Sequence, residues 1–295
     1  MKKFAAIVLA AMALMVSSAN ATVLWNGGFS GGDLSHWGDK QTAVEPKCSL
    51  PYDPNRLTVV TDQPAGSGNA GALRITLNAG DEAFNCRHTP AISMNHRSEL
   101  TKDGQLKEGD ERWYSFTWFI PTTYAVTDGK GGGSVIAQFH HVNSSGDEPG
   151  SPPILFSALT DKLLVVQVPS LNSQNDTNLL STPLPKGRWF TVVTHIKFSS
   201  SDSKGLIEVW IDGSKLLSKT THTMFSGYTN YLKVGLYGRP TTIQSNQIFV
   251  AGVVEATTQA DVMPTSTPPT PAPDAGTPAP KPDAGAPQCL CPCTP

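Results

Sequence analysis

The sequence predicts an all-β protein in which two antiparallel sheets pack face to face as a jelly-roll sandwich with a concave polar groove. Short segments of alternating or β-branched apolar residues recur along the middle of the chain, and no amphipathic helical stretch exceeds two turns. Turn signals such as Asp103-Gly104 separate these segments, and residues 206–215 (LIEVWIDGSK) predict a hairpin with Asp-Gly at its turn. We predict strands over residues 73–77, 113–120, 135–140, 163–168, 190–198, 206–211, 231–237 and 248–254.

The two ends of the chain differ in composition from its middle. Residues 1–21 contain two lysines, then an apolar run, and then small residues that end at Ala21. This is the pattern of a secretory signal peptide. Residues 264–295 are rich in Pro, Ala and Thr and end in CLCPC, which predicts a disordered, extended tail. Residues 22–263 suit a single β domain with a large core. We expect an exported bacterial protein, either secreted or held at the cell surface or in the periplasm.

Charge and hydropathy exclude several classes of partner. The formal net charge is −2, and loss of the leader removes two further lysines, whereas a nucleic-acid-binding protein is expected to be basic. After the leader, no apolar run reaches the roughly 18 residues that a membrane span needs. We therefore expect no nucleic-acid partner and no membrane span, and we expect a monomer.

The cysteines fall into two groups. Cys48 and Cys86 lie in the main domain, where export would permit a disulfide. Sequence supplies no geometry, so a disulfide and two separate thiols both stay open. The three cysteines of CLCPC lack the spacing and the fourth ligand of a zinc site. An attachment to the cell envelope or another chain and a plain unstructured end both stay open for them.

Three strand-like segments carry polar residues at i, i+2 spacing. Because side chains alternate between the faces of a strand, each set shares one face, and a sandwich needs only the other face for its core. The segments are NHRSEL with Arg97 and Glu99, VIAQFHH with Gln138 and His140, and YLKVGLY with Tyr231, Lys233 and Tyr237. Gly235 would make room between the last two of these side chains. Together the three segments predict a polar platform on one outer face.

The residue types on this platform suit β-elimination next to a uronic acid. That reaction removes the proton at C-5, which is weakly acidic while the neighbouring carboxylate is ionised. Arg97 and Gln138 would neutralise or hydrogen-bond the carboxylate and stabilise the enolate-like intermediate. Lys233 would either lower the pKa of Tyr237 or hold a substrate carboxylate. His140, if neutral, is a base with a pKa near the working pH. Tyr237 would protonate the leaving oxygen, or act as both base and acid for the opposite stereochemistry.

These residues also carry a resemblance to a known family. NHRSEL, AQFHH and YLKVGLYGR resemble three signature segments of jelly-roll alginate lyases, and the wider pattern is more similar to the heparin lyase I and glucuronan lyase group. The wider pattern consists of residues 109–116 (GDERWYSF), 151–153 (SPP), 185–189 (PKGRW), 208–213 (EVWIDG) and 233–237 (KVGLY). The resemblance implies a concanavalin A-like sandwich with His140 as base, Tyr237 as acid, and Gln138, Arg97 and Lys233 as carboxylate neutralisers.

Departures from the resembled patterns bear on the substrate. Thr101 stands where the alginate pattern continues with Arg, and Gly238-Arg239 stand where it continues with Asn-Gln. The domain has no Lys/Arg run that a densely sulfated polymer would require. A glucuronan-like polymer is therefore the first choice, with endo or exo action left open. The expected substrate-binding residues are Glu99, Tyr231, His141, Arg239 and His96. A regular strand would turn His96 and His141 away from the platform.

Two other functions fit a β-sandwich. A carbohydrate-binding module would use the same platform without turnover, but it has no need for His140 and Tyr237. A glycoside hydrolase needs two carboxylates across the scissile bond, and Glu208 and Asp212 are spaced wrongly for that. A lyase requires no cofactor, although the resemblance allows a structural calcium ion.

Overall fold

The computed structural model describes residues 22–43, 52–85, 92–93, 96–126, 134–171, 173, 175–238 and 245–263. The predicted leader, Cys48, Cys86, Arg239 and the predicted tail lie outside these residues, so the expectations about them stay predictions. The part of the chain that is described contains no helix long and apolar enough to cross a membrane.

The described residues form 17 strands and one short 3-10 helix, Gln259–Asp261. The strands are β1 Val23–Asn26, β2 Lys40–Gln41, β3 Leu57–Val60, β4 Ala72–Leu77, β5 Phe84–Asn85, β6 Ile92–Ser93, β7 His96–Thr101, β8 Glu111–Phe119, β9 Ser134–Val142, β10 Ile154–Ala158, β11 Lys162–Gln167, β12 Thr177–Pro183, β13 Trp189–Lys197, β14 Leu206–Ile211, β15 Ser214–Thr220, β16 Thr229–Gly238 and β17 Asn246–Ala256. All eight predicted strand segments are strands.

Two large antiparallel sheets make the sandwich, which confirms the predicted fold class. The first sheet has the order β15-β14-β13-β8-β17-β4-β3, and β1 pairs with the end of β17. The second has the order β12-β11-β10-β9-β16-β7-β2, while β5 and β6 form a separate pair. The predicted hairpin joins β14 to β15. Its turn residues Asp212 and Gly213 have φ of 48° and 81°, the left-handed region that Asp-Gly hairpin turns need.

The core lies between the two sheets and takes one face of each strand. Leu232, Val234 and Leu236 of β16 are buried in it, so their neighbours at odd positions face outwards. Leu100 of β7 and Phe139 of β9 also belong to this core. The three polar segments therefore lie on β7, β16 and β9, three adjacent strands of the second sheet, with their polar residues on the outer face.

An irregularity in β9 shapes the neighbouring part of the same face. Pairing with both β10 and β16 shifts register around Ile136. Beyond this point Val135 joins Leu155, Leu164 and Val166 in a small apolar cluster, against which Tyr237 packs. The polar region therefore ends at an apolar wall formed by β9, β10 and β11.

Candidate active site

The strand register brings the polar residues of the three segments side by side. β16 lies between β7 and β9 and pairs with both. The cross-strand pairs are Tyr237 with Arg97, Gly235 with Glu99, Lys233 with Gln138, and Tyr231 with His140. Residues paired in this way lie directly opposite each other, and where both have a Cβ these atoms are within about 5.5 Å. A site drawn from positions 97 to 237 thus depends on the pairing of only three strands.

A cavity of about 290 Å³ opens on this face. We call it the catalytic cavity; it is lined by Arg97, Gln138, His140, Glu148, Gly150, Ser151, Pro152, Lys233 and Tyr237. The structure therefore brings together all five residues that the sequence predicted to be catalytic. The other lining residues belong to the loop between β9 and β10, which covers one side of the cavity.

Glu99 lies beneath the cavity and is fully buried. Its Oε1 accepts a hydrogen bond of 2.5 Å from Nε2 of Gln138, and its Oε2 lies 3.2 Å from Nη1 of Arg97. A buried carboxylate needs such partners, because an unpaired charge in the interior is costly. Glu99 does not line the cavity, although the sequence suggested a substrate contact. Its carboxylate instead orients two groups that do line it.

Gly235 gives Glu99 the space it occupies. A Cβ added at Gly235 would lie 2.6 Å from Cα and 2.9 Å from Cγ of Glu99, and closer still to the carbonyl oxygen of Ser98. These distances are far below ordinary van der Waals contact. The glycine in YLKVGLY is therefore required by close packing across the strand pair.

Lys233 is almost fully buried, with 1% of its surface exposed. Burial lowers the pKa of its ammonium group, whereas the nearby Glu99 carboxylate opposes that shift. Its Nζ donates to Oε1 of Gln41 at 3.3 Å, and Nη1 of Arg97 donates to the same oxygen at 3.1 Å. The two cationic side chains thus share one amide oxygen, and the carboxylates near them are Glu99 beneath the cavity and Glu148 of the β9–β10 loop.

His140 lies beside these cations and is kept neutral by its surroundings. Burial, and secondarily the charge of Lys233, lowers its pKa well below 6.5. For Nε2 to act as a base, the ring proton has to lie on Nδ1. The His141 amide N–H donates to Nδ1 at 2.9 Å, which favours the tautomer with its proton on Nε2, whereas the carbonyl oxygen of His141, 3.1 Å from Nδ1, accepts from the other tautomer. A base role for Nε2 therefore requires the bond to the carbonyl oxygen in place of the bond from the amide.

Tyr237 closes the side of the cavity next to Arg97. The guanidinium carbon of Arg97 lies 4.4 Å from the centre of the Tyr237 ring, a cation–π contact. The ring also packs against the apolar wall around Val135. Both contacts fix the ring plane, and Tyr237 thus has a defined orientation at the cavity edge.

His141 is fully buried and lies away from the catalytic cavity. Its Nε2 donates to the carbonyl oxygen of Pro149 at 2.7 Å, and its ring packs edge-on against Phe225 and Tyr228. The sequence suggested that His141 binds substrate. In the structure it instead anchors the β9–β10 loop over the cavity.

Of the other expected binding residues, His96 lies away from both cavities and Tyr231 lines a second cavity. His96 is buried at the start of β7 and lines neither the catalytic cavity nor its neighbour. Tyr231 lines a second cavity of about 310 Å³, together with Asp39, Gln41, Thr101, Lys102, Asp103, Gly104, Gln105, Val142 and Glu148. Within the described residues, no group of three or more His, Cys, Asp and Glu side chains is placed to hold a metal ion.

Sequence reasoning missed two residues of the site. Gln41 comes from β2, a two-residue edge strand with no periodic pattern, and its side chain holds both Arg97 and Lys233. Glu148 comes from the β9–β10 loop and lines both cavities. A glutamate in a loop gives no signal by itself, because loop carboxylates are common on any surface. The only signal for Glu148 was that the SPP segment of the resembled pattern lies three residues after it.

Comparison with known proteins agrees with this fold. The family model described as "Polysaccharide lyase" matches residues 29–253. An endo-β-1,4-glucuronan lyase from the fungus Trichoderma reesei is 20% identical with a TM-score of 0.58, and the match covers 82% of this chain and 98% of that chain. Alginate lyase A1-II′, a member of polysaccharide lyase family 7, is 16% identical with a TM-score of 0.52, covering 78% and 98%. No curated protein sequence is significantly similar to the chain.

Replacing Gly235 by alanine should destabilise the protein. The new methyl group would overlap the Glu99 side chain and the Ser98 backbone, and overpacking of this kind costs about 1–3 kcal/mol in the free energy of unfolding. Gly252→Ala is the matched control, because Gly252 also lies within a strand but has nothing nearer than 4.0 Å. Chemical denaturation of both variants measures the difference. Equal stability of the two variants would contradict the packing assigned to Glu99.

The imidazole of His140 should titrate below pH 6.5, and Lys233→Met should raise that midpoint. Removal of the neighbouring positive charge makes the imidazolium form less unfavourable, so the pKa increases. An NMR titration of the histidine ring signals measures this directly. Lys215→Met is the control, since Lys215 pairs with Glu208 on the other sheet. A midpoint at or above 6.5 in the unmodified protein would contradict the account.

Proposed function

Because the chain belongs to the polysaccharide lyase family, we propose that it cleaves a uronic-acid-containing polysaccharide by β-elimination and leaves unsaturated uronate ends. The observation that carries the proposal is the pair of cationic side chains in the catalytic cavity. Arg97 and Lys233 line it and Gln41 holds both of them, while the nearby carboxylates are Glu99 beneath the cavity and Glu148 of the loop. A cavity of this kind favours an anionic group on the substrate.

The first role of the site is to neutralise the uronate carboxylate. An ionised carboxylate makes the C-5 proton hard to remove, because the resulting dianionic intermediate is unstable. Arg97, Lys233 and the Gln138 amide would contact this carboxylate, and their positive charge and hydrogen bonds stabilise the negative charge that develops. Gln41 and Glu99 hold these groups in place before substrate arrives, so little reorganisation is needed during the reaction.

The second role is proton transfer. Nε2 of His140 takes the proton from C-5, the electron pair of that bond forms the C-4=C-5 double bond, and the bond from C-4 to the glycosidic oxygen breaks. Tyr237 gives its hydroxyl proton to the departing oxygen. Since burial keeps the pKa of His140 low, the ring stays neutral and available as a base through mildly acidic pH.

A glucuronan-like polymer remains the first choice of substrate. Arg97 and Lys233 of the catalytic cavity suit a substrate carboxylate, and the domain lacks the basic run that a densely sulfated polymer would require. A glucuronan lyase is among the proteins that share the fold, which makes glucuronan the natural first assay. Export through the predicted leader would place the protein where it meets such a polymer.

The rival functions have less support. A non-catalytic binding module would not require membership of an enzyme family. A glycoside hydrolase needs two carboxylates facing the scissile bond. Among the residues that line the catalytic cavity only Glu148 is acidic, and the buried Glu99 is engaged by Arg97 and Gln138.

His140→Ala and Tyr237→Phe should each lower kcat by about 10²–10⁴, the usual contribution of a general acid or base. The measurement is the ultraviolet absorbance of the conjugated unsaturated uronate, with the full chain and a panel of glucuronan, alginate, heparin, hyaluronan and pectate. His36→Ala and Tyr52→Phe are matched controls, because neither side chain lines a cavity of the site. Full activity of both cavity variants, or no product from any polymer, would refute the proposed reaction.

A further inference from the structure

We propose that the second cavity, beside Tyr231, is a subsite that takes an uncharged sugar residue adjoining the uronate, an assignment that rests on the proposed function. The two cavities are neighbours on the same face of the sheet. Glu148 lines both, and Tyr231 of the second cavity pairs with His140 of the first. Gln41 lines the second cavity while its side chain holds Lys233 of the first. A polymer bound in one cavity therefore extends into the other.

The second cavity is more acidic than the catalytic cavity. Asp39, Asp103 and Glu148 give the second cavity three carboxylates. Its single cationic lining residue among those described is Lys102, whose Nζ lies 2.8 Å from Oε2 of Glu255. That ammonium group is already engaged by a protein carboxylate. A second ionised uronate placed here would meet like charges with no cation to balance them.

Hydroxyl groups in the second cavity suit a sugar without a carboxylate. Tyr231 is 8% exposed, and burial together with the neighbouring Glu148 carboxylate raises the pKa of its hydroxyl. The hydroxyl of Thr101 is buried without a hydrogen-bond partner among the described residues. Buried polar groups of this kind are normally satisfied by a partner or a ligand. Sugar hydroxyls would satisfy them, and would donate in turn to the carboxylates of Asp39 and Asp103.

A metal ion does not explain the three carboxylates. Across the described ranges, no set of three or more acidic, His or Cys side chains is arranged to share one ion. The acidic groups are instead spread around a cavity that also contains hydroxyl and amide groups. This arrangement is suited to hydrogen bonding with several hydroxyls of one sugar ring.

The inferred substrate is therefore a polymer in which the cleaved uronate is flanked by an uncharged sugar. This narrows the glucuronan-like first choice. The proposed polymer keeps a uronate in the catalytic cavity, but a polymer made only of uronates would place a second carboxylate in the acidic second cavity. A polymer in which uncharged sugars separate the uronates avoids that repulsion.

The test compares two forms of one polymer with the full chain. The first is the native uronan that the enzyme cleaves fastest in the panel, and the second is the same uronan with about half of its carboxylates chemically reduced to neutral hydroxymethyl groups. Backbone linkage is unchanged, so only charge differs. We expect kcat/KM per remaining uronate to be about two- to fivefold higher on the reduced polymer, the range for removal of one exposed charge contact.

The double variant Asp39→Asn/Asp103→Asn should lower the ratio of kcat/KM on the reduced polymer to kcat/KM on the native polymer, because it raises kcat/KM on the native polymer. Asp62→Asn/Asp161→Asn is the matched control, because it removes the same charge away from both cavities and should leave the ratio unchanged. Preference for the native polymer, or a ratio unaltered by Asp39→Asn/Asp103→Asn, would overturn the subsite while the lyase activity stands. Absence of cleavage on every polymer would overturn the proposed function and the subsite with it.

Discussion

The buried carboxylate of Glu99 is the constraint on which the rest of the site depends. A charge in this position has to be matched by donors, and Arg97 and Gln138 supply them from its own strand and from β9. The strand between them can pass only if it carries no side chain opposite Glu99, which is why Gly235 lies there. One interaction thus fixes three strands in register and orients two of the groups that face the substrate.

The same arrangement sets the electrostatics of catalysis. In the proposed reaction, Arg97 and Lys233 are held by Gln41 in a position to receive one substrate carboxylate before it binds. Burial, and secondarily the charge of Lys233, lowers the pKa of His140 and favours the neutral ring that the proposed base requires. Binding of the anion and availability of the base therefore have a common physical origin. Beyond Glu148 the lining becomes more acidic, and for this reason the proposed subsite takes an uncharged sugar.

Local pattern was sufficient to predict the centre of the site but not its edges. The i, i+2 spacing of Arg97 with Glu99 and of Gln138 with His140 depends only on strand alternation, which holds in any sheet. The role of Glu99 beneath the cavity, by contrast, depends on which strands pair. Gln41 arrives from a two-residue edge strand, and His141 turns away to hold a loop, neither of which leaves a periodic signal. The eight strongest strand patterns were sufficient for the fold class, whereas short strands such as β3 and β10 became recognisable only in the assembled sheets.

A crystal structure of Tyr237→Phe with a bound uronate oligosaccharide tests the central claim most directly, because it shows where the substrate carboxylate lies. The account predicts that this carboxylate is within hydrogen-bonding distance of Arg97, Lys233 and Gln138, and that the C-5 hydrogen faces Nε2 of His140. A carboxylate directed into solvent or towards Asp39 and Asp103, with a hydroxyl group in its place beside Arg97, would contradict it.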